Sequence, residues 1–139
     1  MNYLDTSALV RAWRLQLAPA EITRAHSVAE FYSTLTRGLT VNVGGVKTRV
    51  AISPTDAAAG AQETFAKMNF RDLNGKATLL EVDFAAKENI HAANIHDWMH
   101  AAVAADSGCA CIVTDNTKHF KLVSKLRLVE PADFFAKAT

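Results

Sequence analysis

Four acidic residues stand where an α/β fold would gather them at one edge of its sheet: Asp5, Glu30, Asp97 and Asp115. Two carboxylates about 4 Å apart repel each other by roughly 4 kcal/mol at an effective dielectric constant near 20. A cluster of four is therefore stable only when protons or metal ions neutralise it. Because carboxylate oxygens are ligands for hard divalent cations, the pattern predicts a metal-dependent hydrolase site.

Asp5 and Asp115 each follow a predicted strand directly. In open α/β sheets, ligands bind at the carboxyl ends of the strands, which is where both side chains would emerge. Each residue also has a purely structural explanation. Asp5 can be the N-cap of the first helix, and Asp115 can be a turn residue beside Asn116.

Glu30 and Asp97 lie in predicted helices. The segment Ser27 to Glu30 matches the S-x-x-E capping box, in which the Glu side chain bonds the N-cap backbone. Asp97 lies in a largely apolar helix, where Asp is unfavourable, and this favours a functional role. Its early position in the helix is also explained by the helix dipole.

The same helix contains His96-Asp97-Trp98-Met99-His100, a near match to the H-E-x-x-H zinc motif. The Asp is one methylene shorter than the Glu that acts as the base in such sites, and only His119 or Glu130 offers a third ligand. A zinc peptidase using His96 and His100 is therefore the less favoured alternative. Exposed histidines on the helix surface are the default interpretation.

Length and composition favour one domain that covers residues 1–139. Half of the residues are hydrophobic, which is enough for one core, and the net charge of +1 excludes nucleic-acid binding by bulk electrostatics. The sequence shows no signal peptide and no apolar segment long enough to span a bilayer, so we expect a soluble, cytoplasmic protein. Cys109 and Cys111 lie in one apolar run and are predicted to be buried and not disulfide-bonded.

The remaining chain alternates between predicted strands and helices, which favours a mostly parallel sheet with helices on both faces. The predicted strands are Asn2 to Leu4, Ile22 to Ala25, Lys76 to Val82, Cys109 to Thr114 and Arg127 to Pro131. The predicted helices are Ala8 to Ala18, Val28 to Thr36, Pro54 to Met68, Asp83 to Asn89 and Asn94 to Asp106.

The segment from Val41 to Ile52 alternates on both sides of Gly44-Gly45, which is typical of a β-hairpin with a tight turn. We interpret it as an insertion into the α/β fold. Its Lys47 and Arg49 either contact a phosphate backbone or keep an exposed strand edge soluble.

Three segments of the chain are LDTSALV, HSVAEFYSTLTR and IHDWMHAAVAADSGCACIVTDNTKHF. Together they closely resemble the PIN domain (PilT N-terminus) nucleases, which include the VapC-type toxins of bacterial toxin–antitoxin pairs. The resemblance spans nearly the whole chain and implies a three-layer α/β/α PIN-like fold. By motif, Asp5, Glu30 and Asp97 match the first three acids of that family. The position of the fourth acid is Asn116 in this chain, so the fourth ligand is either Asp115 or Asn116.

The resemblance implies an endoribonuclease that hydrolyses RNA phosphodiesters with Mg²⁺ or Mn²⁺ held by these five side chains. Thr6, Ser7 and Thr114 would then support the ligands or contact phosphate. It further implies an RNA substrate, a cognate antitoxin protein and a homodimer. The change to Asn116 leaves open a non-catalytic PIN-like module that binds RNA or a protein.

Overall fold

A five-stranded, fully parallel sheet forms the centre of the structure, a computed structural model that describes residues 1–136. Its strand order is β5-β2-β1-β6-β7, and a separate antiparallel hairpin is formed by β3 and β4. The strands are β1 Tyr3–Leu4, β2 Ile22–Thr23, β3 Leu39–Val43, β4 Val46–Val50, β5 Asn69–Phe70, β6 Cys111–Val113 and β7 Arg127–Val129.

Helices connect the strands and cover both faces of the sheet. They are α1 Thr6–Arg14, α2 His26–Arg37, α3 Pro54–Thr64, α4 Gly75–Lys87, α5 Asn94–Asp106, α6 Thr117–Val123 and α7 Pro131–Ala136. The last three residues of the predicted domain, 137–139, lie outside the described residues.

Two apolar cores, one on each face of the sheet, produce the three layers. Successive strand residues point to opposite faces. Accordingly, Leu4 and Val113 pack in one core with α1 and α2, whereas Tyr3 and Ile112 pack in the other with α5 and α6. The predicted α/β/α architecture with a parallel central sheet is confirmed.

The register of β1 and β6 places two strand ends side by side. Leu4 pairs with Val113, and the Asp5 amide donates to the carbonyl of Val113 at 3.2 Å. Asp5 and Thr114, the residues that follow, therefore emerge together at the carboxyl edge of the sheet, although they are far apart in the chain.

The predicted hairpin is confirmed, and it lies at the far end of α2. Val43 pairs with Val46 across Gly44 and Gly45, which both have positive φ angles of 57° and 83°. Such angles are accessible to glycine without strain. The hairpin begins after α2 ends at Arg37, seven residues or about 10 Å of helix beyond Glu30.

The predicted strand from Lys76 to Val82 is wrong, because this segment belongs to α4. Asn74 caps the helix by accepting a hydrogen bond from the amide of Ala77 at 2.8 Å. Asp83, predicted as the cap of a later helix, lies inside α4. The periodicity of a short apolar run does not distinguish a strand from a helix. Here the Asn74 cap favours the helix. The strand that pairs with β2 at this edge of the sheet is the short β5, which the sequence did not predict.

Two further expectations concern the cysteines and the membrane. Cys109 and Cys111 are both buried and free, as predicted. Within residues 1–136, none of the helices has the length and apolar character required to cross a bilayer.

Candidate functional site

One cavity at the carboxyl edge of the sheet gathers the predicted acidic residues. It has a volume of about 320 Å³. Its lining residues come from the segments that follow β1 and β6 and from helices α1, α2 and α5. They are Asp5, Thr6, Ser7, Val10, Glu30, Thr34, Asp97, His100, Asp115 and Asn116. Of the predicted site residues, only Thr114 does not line the cavity, and its hydroxyl donates a hydrogen bond to Asp5.

Asp5 is buried, and its carboxylate is held by three donors. Oδ1 accepts from the Ser7 hydroxyl at 2.7 Å and from the Ala8 amide at 3.0 Å, and Oδ2 accepts from Thr114 Oγ1 at 2.5 Å. Asp5 is thus the N-cap of α1 and a cavity residue at once. Burial raises the pKa of Asp5 above its ordinary value, although these hydrogen bonds act to lower it.

Glu30 points away from the cap that the sequence predicted. Helix α2 begins at His26, and its N-cap residue, Ala25, makes no side-chain cap bond, so the capping-box interpretation is wrong. The Ser27 hydroxyl instead contacts Thr23 Oγ1 at 2.7 Å. The Glu30 carboxylate lines the cavity instead.

Two donors hold the Glu30 carboxylate through one oxygen. Oε1 accepts from Thr6 Oγ1 at 3.1 Å and lies 2.9 Å from His100 Nε2. Burial acts to raise the pKa of Glu30, but the hydrogen bond and charge of His100, together with Thr6, outweigh it, so the pKa is lowered. An ionised carboxylate only accepts, so Nε2 of His100 carries a proton.

His100 was not predicted as part of the carboxylate site. Its side chain is buried, and its Nδ1 lies 2.5 Å from the hydroxyl of Tyr3. Burial raises the pKa of Tyr3 well above its ordinary value, which keeps the phenol protonated. Tyr3, His100 and Glu30 therefore form one hydrogen-bonded chain. The available signal was spacing, because His100 follows Asp97 by three residues and shares its helix face.

The zinc site that the His96–His100 spacing suggested is not formed. Both ring nitrogens of His100 are engaged by Tyr3 and Glu30. His96 is exposed and stacks on His26, with 6.2 Å between the ring centroids. The expectation of two exposed histidines is correct for His96 and wrong for His100.

Asp97 lies on α5 and faces α6. Its Oδ2 is 3.8 Å from Nδ1 of His119, and 18% of its side chain is exposed. Burial raises the pKa of Asp97, and the nearby His100 and His119 reduce this effect without cancelling it. Burial therefore makes the ionised form of Asp97 less favourable than that of an exposed carboxylate.

The loop after β6 brings Asp115 and Asn116 to the cavity through backbone contacts. The Asp115 amide donates to Ser7 Oγ at 2.9 Å, and the Asn116 amide donates to Thr114 Oγ1 at 2.9 Å. Ser7 and Thr114 therefore fix this loop as well as Asp5. Asp115 and Asn116 are both exposed.

The chemistry of the lining fits a hard divalent cation, since its donors are carboxylate and amide oxygens. The raised pKa values of Asp5 and Asp97 also fit, because a bound cation would relieve the cost of their burial. Across residues 1–136, however, no three Asp, Glu, His or Cys side chains converge in a metal-binding arrangement.

A larger cavity, of about 740 Å³, lies at the opposite, amino edge of the sheet. It is lined mainly by apolar residues, including Leu17, Phe134 and Phe135. The polar groups that converge in the smaller cavity make that cavity the candidate site, because chemistry depends on donors rather than on volume.

Comparison with known proteins bears on the fold. No family model matches the chain, and no curated protein matches it. Among solved structures, the chain is similar to a chain of the 2.2 Å structure of VapBC-1 from nontypeable Haemophilus influenzae, with a TM-score of 0.60 and 16% sequence identity. The fold is shared. The match covers 95% of this chain and 99% of the VapBC-1 chain, so the common architecture extends over both chains.

Proposed function

We propose that this chain is a metal-dependent endoribonuclease, the toxin of a toxin–antitoxin pair, that acts in the cytoplasm. The observation that carries the proposal is the cavity shared by Asp5, Glu30, Asp97, Asp115 and Asn116 at the carboxyl edge of the sheet. The fold shared with a VapBC-1 chain supports it, since the PIN-like motifs of the sequence fall at this same edge.

Asp5, Glu30 and Asp97 would be the principal ligands of Mg²⁺ or Mn²⁺, and Asp115 or Asn116 would complete the set. When bound, the cation supplies Lewis-acid activation of the attacking water and neutralises phosphoryl charge. No side chain acts as a covalent nucleophile in this proposal.

The chain's own residues orient these ligands. Thr114 and Ser7 hold Asp5 through both of its oxygens, and the same two hydroxyls anchor the loop that carries Asp115 and Asn116. Groups that orient metal ligands typically change affinity or activity by about 10- to 100-fold when they are removed. We therefore assign Thr114 and Ser7 a positioning role. Thr6 has the same role toward Glu30.

RNA is the proposed substrate, and it would be held locally at the cavity because the chain has a net charge of only +1. An antitoxin protein would restrain the activity, and the toxin itself would be a homodimer. Lys47 and Arg49 of the hairpin are not among the cavity residues and are not part of the proposed site. Arg49 Nε donates to the carbonyl of Arg37 at the far end of α2.

A second candidate is a non-catalytic PIN-like module that binds RNA or a protein. It is favoured by two observations, the amide of Asn116 at the position of the fourth acid and the engagement of Glu30 by His100. The two candidates differ in one measurable property, because only the nuclease breaks phosphodiester bonds in the presence of the cation.

The test compares the parent with Asp97→Asn in cleavage of a fluorescently labelled RNA in Mg²⁺ or Mn²⁺. Loss of a ligand carboxylate is expected to reduce the rate by at least about 100-fold and to abolish growth inhibition in cells. Asp106→Asn is the matched control, because Asp106 is an exposed acid on the same helix and should leave the rate unchanged.

Equal cleavage by Asp97→Asn and the parent would refute the proposed site. RNA binding by the parent without cleavage in either cation would instead support the non-catalytic module.

A further inference from the structure

One oxygen of the Glu30 carboxylate already has two hydrogen-bond donors. Oε1 accepts from Thr6 Oγ1 at 3.1 Å, and Nε2 of His100 donates to it at 2.9 Å. Each oxygen of an ionised carboxylate offers two lone pairs, so these donors occupy both lone pairs of Oε1. Oε2 accepts no hydrogen bond from residues 1–136. Glu30 therefore has one oxygen left for a cation.

The imidazole that donates to Glu30 is held in place from its other side. His100 is 3% exposed, and its Nδ1 lies 2.5 Å from the hydroxyl of Tyr3, which is fully buried. Because the phenol donates to Nδ1, the imidazole proton stays on Nε2 and is directed at Glu30. Rotation of the ring would break both hydrogen bonds and leave buried polar atoms without partners, which is unfavourable. His100 is thus a fixed donor.

Asp5 is restricted in the same way as Glu30. Its Oδ1 accepts from the Ser7 hydroxyl and from the Ala8 amide, whereas Oδ2 accepts from Thr114 alone in the part of the chain that the structure describes. Both lone pairs of Oδ1 are therefore used, and one lone pair of Oδ2 remains. Two carboxylates of the cavity can thus each bind a cation through one oxygen and not through two.

We propose that His100 is a positioning residue that restricts Glu30 to coordination through one oxygen and thereby sets which cation the cavity prefers. This inference rests on the proposed metal-dependent function. Mg²⁺ requires near-ideal octahedral geometry, which single oxygens supply, whereas Ca²⁺ takes roughly six to eight ligands and often uses both oxygens of one carboxylate. A cavity whose carboxylates offer one oxygen each favours Mg²⁺ or Mn²⁺ over Ca²⁺. His100 itself contacts no cation.

The contact between His100 and Glu30 has a competing explanation, in which the imidazole blocks the carboxylate from a cation. The two explanations predict opposite results when the donor is removed. If His100 positions Glu30, loss of the donor leaves the carboxylate free to rotate and weakens cation binding. If His100 blocks Glu30, the same loss strengthens cation binding.

Titration of the full chain with Mn²⁺ in the absence of RNA tests the proposal. The electron paramagnetic resonance signal of free Mn²⁺ gives the bound fraction, and displacement by Ca²⁺ gives the preference between the two ions. His100→Leu removes the donor and should weaken Mn²⁺ binding by about 10- to 100-fold. It should also lower the preference for Mn²⁺ over Ca²⁺ by about tenfold, because Oε1 becomes free to join Oε2 at Ca²⁺.

His100→Gln is the rescue variant, because its amide nitrogen lies as many bonds from the backbone as Nε2 of His100 and keeps an N–H for Glu30. Its Mn²⁺ affinity and its preference over Ca²⁺ should return to within about threefold of the parent. The matched control is His91→Leu, which should change neither property, since His91 is exposed and does not line the cavity.

A second variant guards against misfolding, because His100→Leu leaves the buried Tyr3 hydroxyl without this partner. Tyr3→Phe/His100→Leu removes both polar groups together, which is close to neutral for stability, and it should show the same loss of Mn²⁺ binding. Circular dichroism confirms that every variant is folded.

Three results would overturn the proposal while RNA cleavage by the parent left the proposed function standing. They are Mn²⁺ binding by both leucine variants that equals or exceeds that of the parent, an unchanged preference over Ca²⁺, and a failure of His100→Gln to restore binding. A parent that binds neither Mn²⁺ nor Ca²⁺ would instead refute the metal-dependent function, and this inference with it.

Discussion

Oε1 of Glu30 lies 2.9 Å from Nε2 of His100, and these two residues are 70 positions apart in the chain. Thr6 donates to the same oxygen at 3.1 Å, whereas Oε2 makes no hydrogen bond within residues 1–136. The carboxylate is thus fixed through one oxygen while the other stays available at the cavity. This relationship makes His100 a neighbour of the acidic site and not a surface residue.

Removing the Tyr3 hydroxyl should destabilise the protein. In Tyr3→Phe, the ring still fills the core, but Nδ1 of the buried His100 loses its partner. Leaving such a group unsatisfied costs about 1–3 kcal/mol, which urea unfolding measures directly. Tyr32→Phe is the matched control, because Tyr32 is 39% exposed and should change the free energy of unfolding by less than about 0.5 kcal/mol. Equal stability of Tyr3→Phe and the parent would contradict the buried chain of hydrogen bonds.

The pH dependence of stability should reveal the burial of Asp5. Its pKa is raised in the folded state, so the ionised form is less stable there than in the unfolded chain. The parent therefore gains stability as the pH falls through the folded pKa toward the unfolded value. Asp5→Asn does not titrate, so the parent should become more stable relative to this variant as the pH falls. The measurement is thermal unfolding in EDTA from pH 8 to about pH 4.

Glu30→Gln is expected to show the opposite sign in the same experiment. The pKa of Glu30 is lowered by His100 and Thr6 despite its burial, so the stability from this carboxylate is present above the unfolded pKa. That stability is lost as the pH falls through the folded pKa. The stability difference between the parent and each variant should therefore change with pH in opposite directions for Asp5→Asn and Glu30→Gln. A change in the same direction for both would contradict the electrostatic description of the site.

Divalent cations should raise the melting temperature of the parent. A ligand that binds only the folded state stabilises it by about 2.7 kcal/mol when its free concentration is 100 times the dissociation constant. Mg²⁺ or Mn²⁺ should give this stabilisation, EDTA should reverse it, and Asp5→Asn should largely abolish it. Asp106→Asn should respond as the parent does. A concentration on the order of 10 millimolar should saturate such a site. If neither ion changes the melting temperature of the parent at that concentration, the result would contradict a metal site.

Gly60→Ala should destabilise the protein although alanine usually favours a helix. A Cβ at Gly60 would lie 2.7 Å from Nε1 of Trp13, whose indole is partly buried against the core. Such overpacking costs about 1–3 kcal/mol, measured by urea unfolding. Gly75→Ala is the control, because a Cβ there meets nothing within 4 Å. A stabilised Gly60→Ala protein would show that α1 and α3 pack less closely than described.

Several features were predictable because neighbouring residues specify them. The Gly44-Gly45 turn with alternation on either side predicted the hairpin, and the apolar run around Cys111 predicted a buried strand. Asp5 and Asp115 each follow a predicted strand, and this order also predicted which edge of the sheet would carry the acidic residues. Each of these signals is a backbone preference or a periodicity that acts within a few residues.

Other features were decided by contacts between distant residues. Ser27 and Glu30 match a capping box in sequence, yet Ser27 bonds Thr23 and Glu30 bonds His100. The run from Lys76 to Val82 could form either a strand or a helix, and its sequence does not show whether a partner strand lies beside it.

The sequence by itself determined the chemical types available and the edge of the sheet at which the acids lie. It also determined the order of strands and helices, apart from α4, β5, α6 and α7. Only the tertiary structure decided that Tyr3, Glu30 and His100 bond to one another, and that an apolar face of α4 stays exposed. The physical reason is that propensities and caps act over a few residues. Burial and side-chain hydrogen bonding depend instead on which elements the fold brings together.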